Sequence, residues 1–297
     1  MKKTYKMIAI DLDGTLLSPR NEVTKRTKDA VHQALKAGLL VCFATGRNWT
    51  ESRTVVEAVE HYATAVFAGG AMVVDTGRDV TLHRMMMDGA LAAELCRHLE
   101  AEGHAVLALQ DTTAAGVDYL VTGEAELNDA TRAWMAITHA KVRTVPRLGE
   151  FDHAHTIRVG IVAARELVHA STRSLDAAFA GRIVHQSLYV PAYGVEVLEV
   201  FDPAVNKWQG ILHVARHHGI DPSEIVAVGD DVNDVPMLQS AGLGVAMGNA
   251  RPEIQAVARR VIGTNAEDGL AAFLEELVEQ HTVKPLEEVD AEVRSEV

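Results

Sequence analysis

Apolar residues follow two rhythms along this chain. Short continuous runs at residues 7–10, 39–44, 63–68, 225–228, 243–247 and 260–262 read as buried strands of a parallel sheet. Between the first two runs, Ala30, Val31, Ala34 and Leu35 recur at helical spacing. That spacing predicts a helix over 24–37, opened by Thr24 and stopped by Gly38. Strand, helix and strand make a βαβ unit, which closes with a right-handed crossover. Further helices are predicted over 49–61, 207–218 and 268–279, with shorter ones near Met237 and Glu253. A hairpin-like run at 72–75 is followed by the turn residues Thr76-Gly77-Arg78-Asp79.

From about His83 the order of elements changes. Helices over 88–101, 126–138 and 165–178 are interleaved with strand-like runs at 105–109, 117–121, 142–145, 156–162 and 183–186. The expected fold is therefore α/β. A doubly wound, Rossmann-like parallel-sheet core is formed by 1–82 and 191–280, and an α+β domain at 83–190 is inserted into it. Residues 275–297 hold eight acids against Lys284 and Arg294, so 281–297 reads as a solvated acidic tail.

With 48% hydrophobic residues among 297, the chain can build a sizeable core. Its net charge of −13 and lack of a basic stripe argue against nucleic acid as a partner. The apolar run after Met1-Lys2-Lys3 stops at Asp11, too short for a signal-peptide core, and no run approaches membrane-spanning length. Cys42 and Cys96, the two cysteines, suggest neither a disulfide framework nor a metal site. A cytoplasmic protein without a membrane partner is expected; oligomeric state is not legible.

The candidate chemistry sits at strand ends. The run 7–10 leads into Asp11-Leu12-Asp13-Gly14-Thr15. In open α/β sheets the ligand crevice lies at the carboxyl ends of strands. Side chains at i and i+2 of extended chain face the same way, so Asp11 and Asp13 can address one ligand. Two carboxylates that close together call for a cation, and Mg²⁺ prefers such oxygen ligands. The second strand ends in Thr45-Gly46-Arg47, where the Thr45 hydroxyl either donates to a phosphoryl oxygen or caps the helix that follows. Lys207 opens a helix. The strand at 225–228 ends in Gly229-Asp230-Asp231-Val232-Asn233-Asp234. His213 and His217 have i, i+4 spacing but no clear third ligand, so an ordinary solvent-facing helix is the better reading. Met85-Met86-Met87 reads as packing rather than ligand contact.

The Asp11-Leu12-Asp13-Gly14-Thr15, Thr45-Gly46-Arg47, Lys207 and Gly229-Asp230-Asp231-Val232-Asn233-Asp234 motifs together resemble the haloacid-dehalogenase-like phosphohydrolases, over about residues 5–275. The insert between the second and third motifs resembles the Cof-type subfamily with its α/β cap. The resemblance implies a Mg²⁺-dependent phosphatase acting on small phosphorylated metabolites, sugar phosphates above all. Asp11 would be the nucleophile and Asp13 the acid and base. Mg²⁺ would be held by Asp11, Asp230 and the Asp13 backbone carbonyl. Thr45 and Lys207 would hold phosphoryl oxygens, and Leu12, Gly46 and Asn233 would complete the substrate side. Asp234 would orient Lys207, with Asp231 behind the metal.

The chain departs from the family's pattern at Ala204, at Trp208 and at Gly69-Gly70. Trp208 is expected either to pack in the core or to alter the substrate side. His185, Tyr189 and Tyr193 are candidate cap contacts to the leaving group, with ordinary packing as the alternative. Two other functions share some of these parts. A phosphomutase or phosphotransferase would share the nucleophile, and a phospho-metabolite sensor would hold phosphate without turnover.

Overall fold

The structure is a computed structural model and describes residues 4–123, 125–138, 140–190 and 194–280. Tyr193 and the tail at 281–297 lie outside the described residues. In chain order the strands are β1 (Met7–Ile10), β2 (Leu40–Phe43), β3 (Thr64–Phe67), β4 (Met72–Asp75), β5 (Val80–Arg84), β6 (Val106–Gln110), β7 (Tyr119–Thr122), β8 (Val142–Val145), β9 (Thr156–Ala163), β10 (Val184–Val190), β11 (Val195–Phe201), β12 (Ile225–Gly229), β13 (Leu243–Ala246) and β14 (Arg260–Val261). The helices are α1 (Lys25–Lys36), α2 (Trp49–Val59), α3 (Gly89–Ala101), α4 (Thr112–Ala115), α5 (Asp129–Thr138), α6 (Arg165–Ala178), α7 (Lys207–His217), α8 (Val235–Ser240), α9 (Pro252–Gln255) and α10 (Gly269–Gln280). By contacts the described residues divide into two compact units: 4–45, 54–65 and 211–280 form one, 46–53 and 66–210 the other.

The first unit carries a five-stranded parallel sheet in the order β14-β13-β12-β1-β2. All four residues of β1 are fully buried, which is why a short continuous apolar run forms a strand here. The chain leaves β1 through α1 to β2 on one side, and returns much later to β12 on the other. This is the switch point at which open α/β sheets form a crevice. Thr24 caps α1, its side-chain oxygen accepting from the Thr27 amide at 3.1 Å. Arg26 ties α1 to α10 through two bonds to the Glu275 carboxylate, at 3.0 and 2.7 Å.

The second unit carries a six-stranded sheet in the order β10-β11-β9-β6-β7-β8, antiparallel apart from the parallel β7–β8 pair. Alternate residues of its strands (Val106, Ala108, Leu120, Val159, Ile161, Leu198, Val200) pack on Leu95 and Leu99 of α3 and Val168 and Leu175 of α6. The β10–β11 hairpin carries this sheet to Phe201, beyond residue 190 where the insert was expected to return. A smaller sheet, β3-β4-β5, accompanies it.

The single helical turn α4 had no periodic signal in the sequence. Of the three consecutive methionines, Met87 is buried in the second unit's core, whereas Met86 is exposed. Trp208 is buried, in line with packing. His185 bonds Asp176 of α6 at 2.9 Å, and the exposed Tyr189 lies 3.9 Å beneath the Arg165 guanidinium of the same helix. Both cysteines are buried free thiols, and burial pushes the Cys42 thiol up to about 12.

Candidate active site

The turn after β1 places the first acids. The Asp11 amide donates to the Val228 carbonyl at 3.0 Å, continuing the β1–β12 pairing one residue past the strand. The chain then stays extended at Asp13 (φ −77°, ψ 122°) and reverses at Gly14 (φ +77°). The Leu16 amide bonds back to the Asp11 carbonyl at 3.2 Å and the Leu17 amide to Leu12 at 2.9 Å, closing the loop. Asp11 is 3% exposed, whereas Asp13 faces solvent. Leu12 buries its side chain in the core, so any role toward substrate falls to its backbone.

Gly14 is required twice over. A side chain disfavours its positive φ, and a Cβ there would lie 2.1 Å from Asp230 Oδ2. Thr15 Oγ1 donates to Asp230 Oδ1 at 3.0 Å, fastening the β1 loop to the β12 loop.

The acidic run after β12 folds back on itself. Asp234 is fully buried, and its Oδ2 accepts the backbone N–H groups of Asp230 at 2.9 Å and Asp231 at 3.1 Å. A Cβ on Gly229 would come within 2.4 Å of the Asp234 carboxyl carbon, so only glycine admits this fold-back. Asp234 thus fixes the backbone that carries Asp230. Asp231 accepts the Val232 amide at 2.8 Å and Arg251 at 3.3 Å, and it is half exposed. Asn233 is exposed.

Two asparagines without an assigned role in the sequence reading strap these loops together. Asn249, after β13, donates through Nδ2 to the Gly14 carbonyl at 2.9 Å and to Asp230 Oδ2 at 3.3 Å. Its Oδ1 accepts the Asn265 amide at 2.9 Å, and Asn265 Nδ2 donates to the Leu17 carbonyl at 2.8 Å. The one available signal was position: Asn249 follows a strand end of the same sheet.

Thr45 lies two residues beyond β2 and is fully buried. The helix that follows is capped by Asn48, whose Oδ1 accepts the Glu51 amide at 2.8 Å while Glu51 Oε2 accepts the Asn48 amide at 3.4 Å. The cap of that helix is therefore Asn48. Gly46 and Lys207 belong by their contacts to the second unit. The Gly46 carbonyl accepts Arg158 Nη1 at 2.9 Å. Lys207, at the start of α7, is 1% exposed, a degree of burial that lysine tolerates only with partners.

Among the described residues, one group of acids can hold a metal: carboxylate oxygens of Asp11, Asp230 and Asp234 all lie within 4.8 Å of one another. Two of the three are buried, and like charges so placed favour a cation. Carboxylate oxygen is the donor type Mg²⁺ takes, so the residues fit that ion. Asp234 already commits one oxygen to two amides, so it also braces the loop that carries Asp230. No helix among the described residues is long and apolar enough to cross a membrane, and the His213/His217 pair forms no such group.

A parallel sheet bearing strand-end acids at its switch point is the arrangement of a hydrolase family. The model of the haloacid dehalogenase-like hydrolases matches residues 8–274, and the chain belongs to that family. It is 28% identical to the phosphatase YwpJ of Bacillus subtilis over 92% of this chain and 100% of that protein. It is 26% identical to the 5-amino-6-(5-phospho-D-ribitylamino)uracil phosphatase YitU of the same organism, over 91% of this chain and 96% of that one. A haloacid dehalogenase-like hydrolase of B. subtilis superposes with a TM-score of 0.74 at 25% identity, covering 92% of this chain and 99% of that one. The chain is an enzyme of this hydrolase family.

Proposed function

We propose that this enzyme hydrolyses small phosphomonoesters, sugar phosphates foremost, with Mg²⁺ and through an aspartyl-phosphate on Asp11. The observation that carries the reading is the clustering of Asp11, Asp230 and Asp234 at the ends of two adjacent strands. YitU, whose named substrate bears its phosphate on a ribityl chain, supports a polyol-like leaving group.

An Asp11 carboxylate oxygen attacks phosphorus, and the ester P–O bond breaks. The leaving alkoxide takes a proton from the Asp13 carboxyl. Asp13, now ionised, removes a proton from water as that water attacks phosphorus. The bond from phosphorus to Asp11 then breaks, releasing inorganic phosphate and restoring the Asp11 carboxylate. The exposure of Asp13 suits a group that must meet both alcohol and water. Thr45 and Lys207 hold the phosphoryl oxygens, with Gly46, Asn233 and the Leu12 backbone on the substrate side. Asp11, Asp230 and the Asp13 carbonyl hold Mg²⁺, which when bound neutralises phosphoryl charge. Asp234 fixes Asp230 through its amide, and Asp231 supports the same loop. The two buried free thiols suit a reducing compartment, so we place the enzyme in the cytoplasm.

Phosphate release from a panel of phosphomonoesters, measured with and without Mg²⁺, tests this reading. Mg²⁺-dependent release favouring sugar phosphates is expected. Isomerised product instead of free phosphate, or a phosphoprotein that never turns over, contradicts it.

A further inference from the structure

The second unit buries a polar cluster on the sheet face opposite α3 and α6. Arg158 of β9 is 7% exposed. Its Nη1 donates to the Gly46 carbonyl at 2.9 Å and pairs with the Glu199 carboxylate of β11. Its Nη2 donates to the Tyr119 hydroxyl of β7 at 3.1 Å. That hydroxyl donates to Glu51 Oε1 at 3.0 Å, and Asn48 Nδ2 donates to the same oxygen at 3.0 Å. Gln186 Nε2 donates to the other Glu199 oxygen at 2.8 Å. Burial holds the Tyr119 hydroxyl well above its ordinary pKa, so it remains a donor.

The ion pair with Glu199 alone accounts for a buried arginine. It does not account for the bond to Gly46. Glycine is the residue whose backbone is least constrained by its own chemistry, and Gly46 directly follows Thr45. A trans peptide is planar, so fixing the Gly46 carbonyl also fixes the Arg47 N–H, which points the opposite way. Two residues on, the same cluster grips Asn48 and Glu51, the capping pair of α2. The turn from β2 to α2 is therefore held at three points by side chains from strands far away in sequence.

We infer that Arg158 is a positioning residue for phosphate binding. Its guanidinium sets the backbone of Thr45-Gly46-Arg47 through the Gly46 carbonyl, and so sets where the Thr45 hydroxyl meets a phosphoryl oxygen. This rests on the reading of Thr45 as a phosphate-holding residue.

The test is the inhibition constant of inorganic phosphate, with KM and kcat for p-nitrophenyl phosphate, in R158K, T45V, the double variant and Y119F. R158K keeps a cation beside Glu199 but lacks the planar fork that reaches three acceptors. It should raise the phosphate inhibition constant and KM together by about tenfold, with a smaller change in kcat and the thermal midpoint near that of the parent. T45V should raise the same constant, and the double variant should fall short of the product of the two single effects, because both act through one loop. T45V up with R158K unmoved, or fully multiplicative effects, overturns the positioning role of Arg158. T45V unmoved removes the Thr45 reading itself, and the inference with it. Should R158K not fold, Y119F leaves the Arg158–Glu199 pair intact. A rise of about twofold in the phosphate constant is then expected, and no rise overturns the proposal.

Discussion

The two units each gather ionisable side chains out of water, and the two gatherings differ in charge balance. In the first unit the group is acidic throughout: Asp11, Asp230 and Asp234, within 4.8 Å. In the second a guanidinium sits between Glu199, the Tyr119 hydroxyl and, through that hydroxyl, Glu51. The mixed cluster neutralises itself and so serves geometry. The acidic cluster gathers charge of one sign and so makes a seat for a cation. Burial of polar groups alone does not mark chemistry; imbalance of charge at a strand end does.

The comparison breaks most visibly if the acidic cluster is not a cation seat. Replacing Asp230 with asparagine should lower phosphate release by about 10²–10³-fold, the scale of the several kcal/mol that a metal supplies. It should also flatten the Mg²⁺ titration. A variant with unchanged Mg²⁺ response would show that the cluster serves only to shape the loop. Gly14→Ala should come next, since its Cβ meets Asp230 Oδ2 at 2.1 Å on a positive φ. A loss of about 1–3 kcal/mol in denaturant unfolding is expected, with weaker Mg²⁺ activation. An unaltered midpoint would mean that the two loops are not packed as described.

Asn249→Ala sharpens the picture further. It removes the strap from Asp230 and from the Gly14 carbonyl, and about tenfold weaker Mg²⁺ activation is expected, the lower end for residues that orient metal ligands. Equal activation in both proteins would count against the strap.

The smallest effect belongs to the mixed cluster. Loss of solvent around the Glu51 carboxyl raises its pKa above 4.5, against the lowering influence of Arg158. A carboxyl raised on folding contributes stability that declines as pH climbs from the unfolded value through the folded one. Glu51→Gln keeps the capping bonds and lacks that decline. Its thermal midpoint should therefore gain on the parent between pH 4 and pH 8, and a gap independent of pH would contradict the assignment.

The strands and the acidic motifs were legible because their signals are local. Four buried residues followed by Asp11 and Asp13 state both a strand and its end, and β1 forms where expected. The same holds for β12 and the acids after it. The family membership read from these motifs holds as well. What escaped depends on partners distant in sequence. Asn249 reaches across 235 residues to Gly14, and Arg158 across 112 to Gly46, with no pattern nearby to announce either. Thr45 was read either as a phosphoryl donor or as the cap of the next helix, and the reciprocal bonds between Asn48 and Glu51 give that cap to Asn48. Asp234 was read as a partner for Lys207; that its Oδ2 also holds two amides of its own loop is a capping geometry invisible in a run of acids. The hairpin strand β10 extends to Val190, past the expected end at 186, because pairing with β11 sustains it where its own apolar pattern does not.

The central claim is that Asp11 attacks phosphorus, and Asp11→Asn tests it most directly. The amide nearly preserves shape but is a far weaker nucleophile. With Mg²⁺ present and the protein folded, phosphate release should fall to background, and no phosphorylated protein should be trapped from substrate. Substantial residual release by that variant would contradict the account.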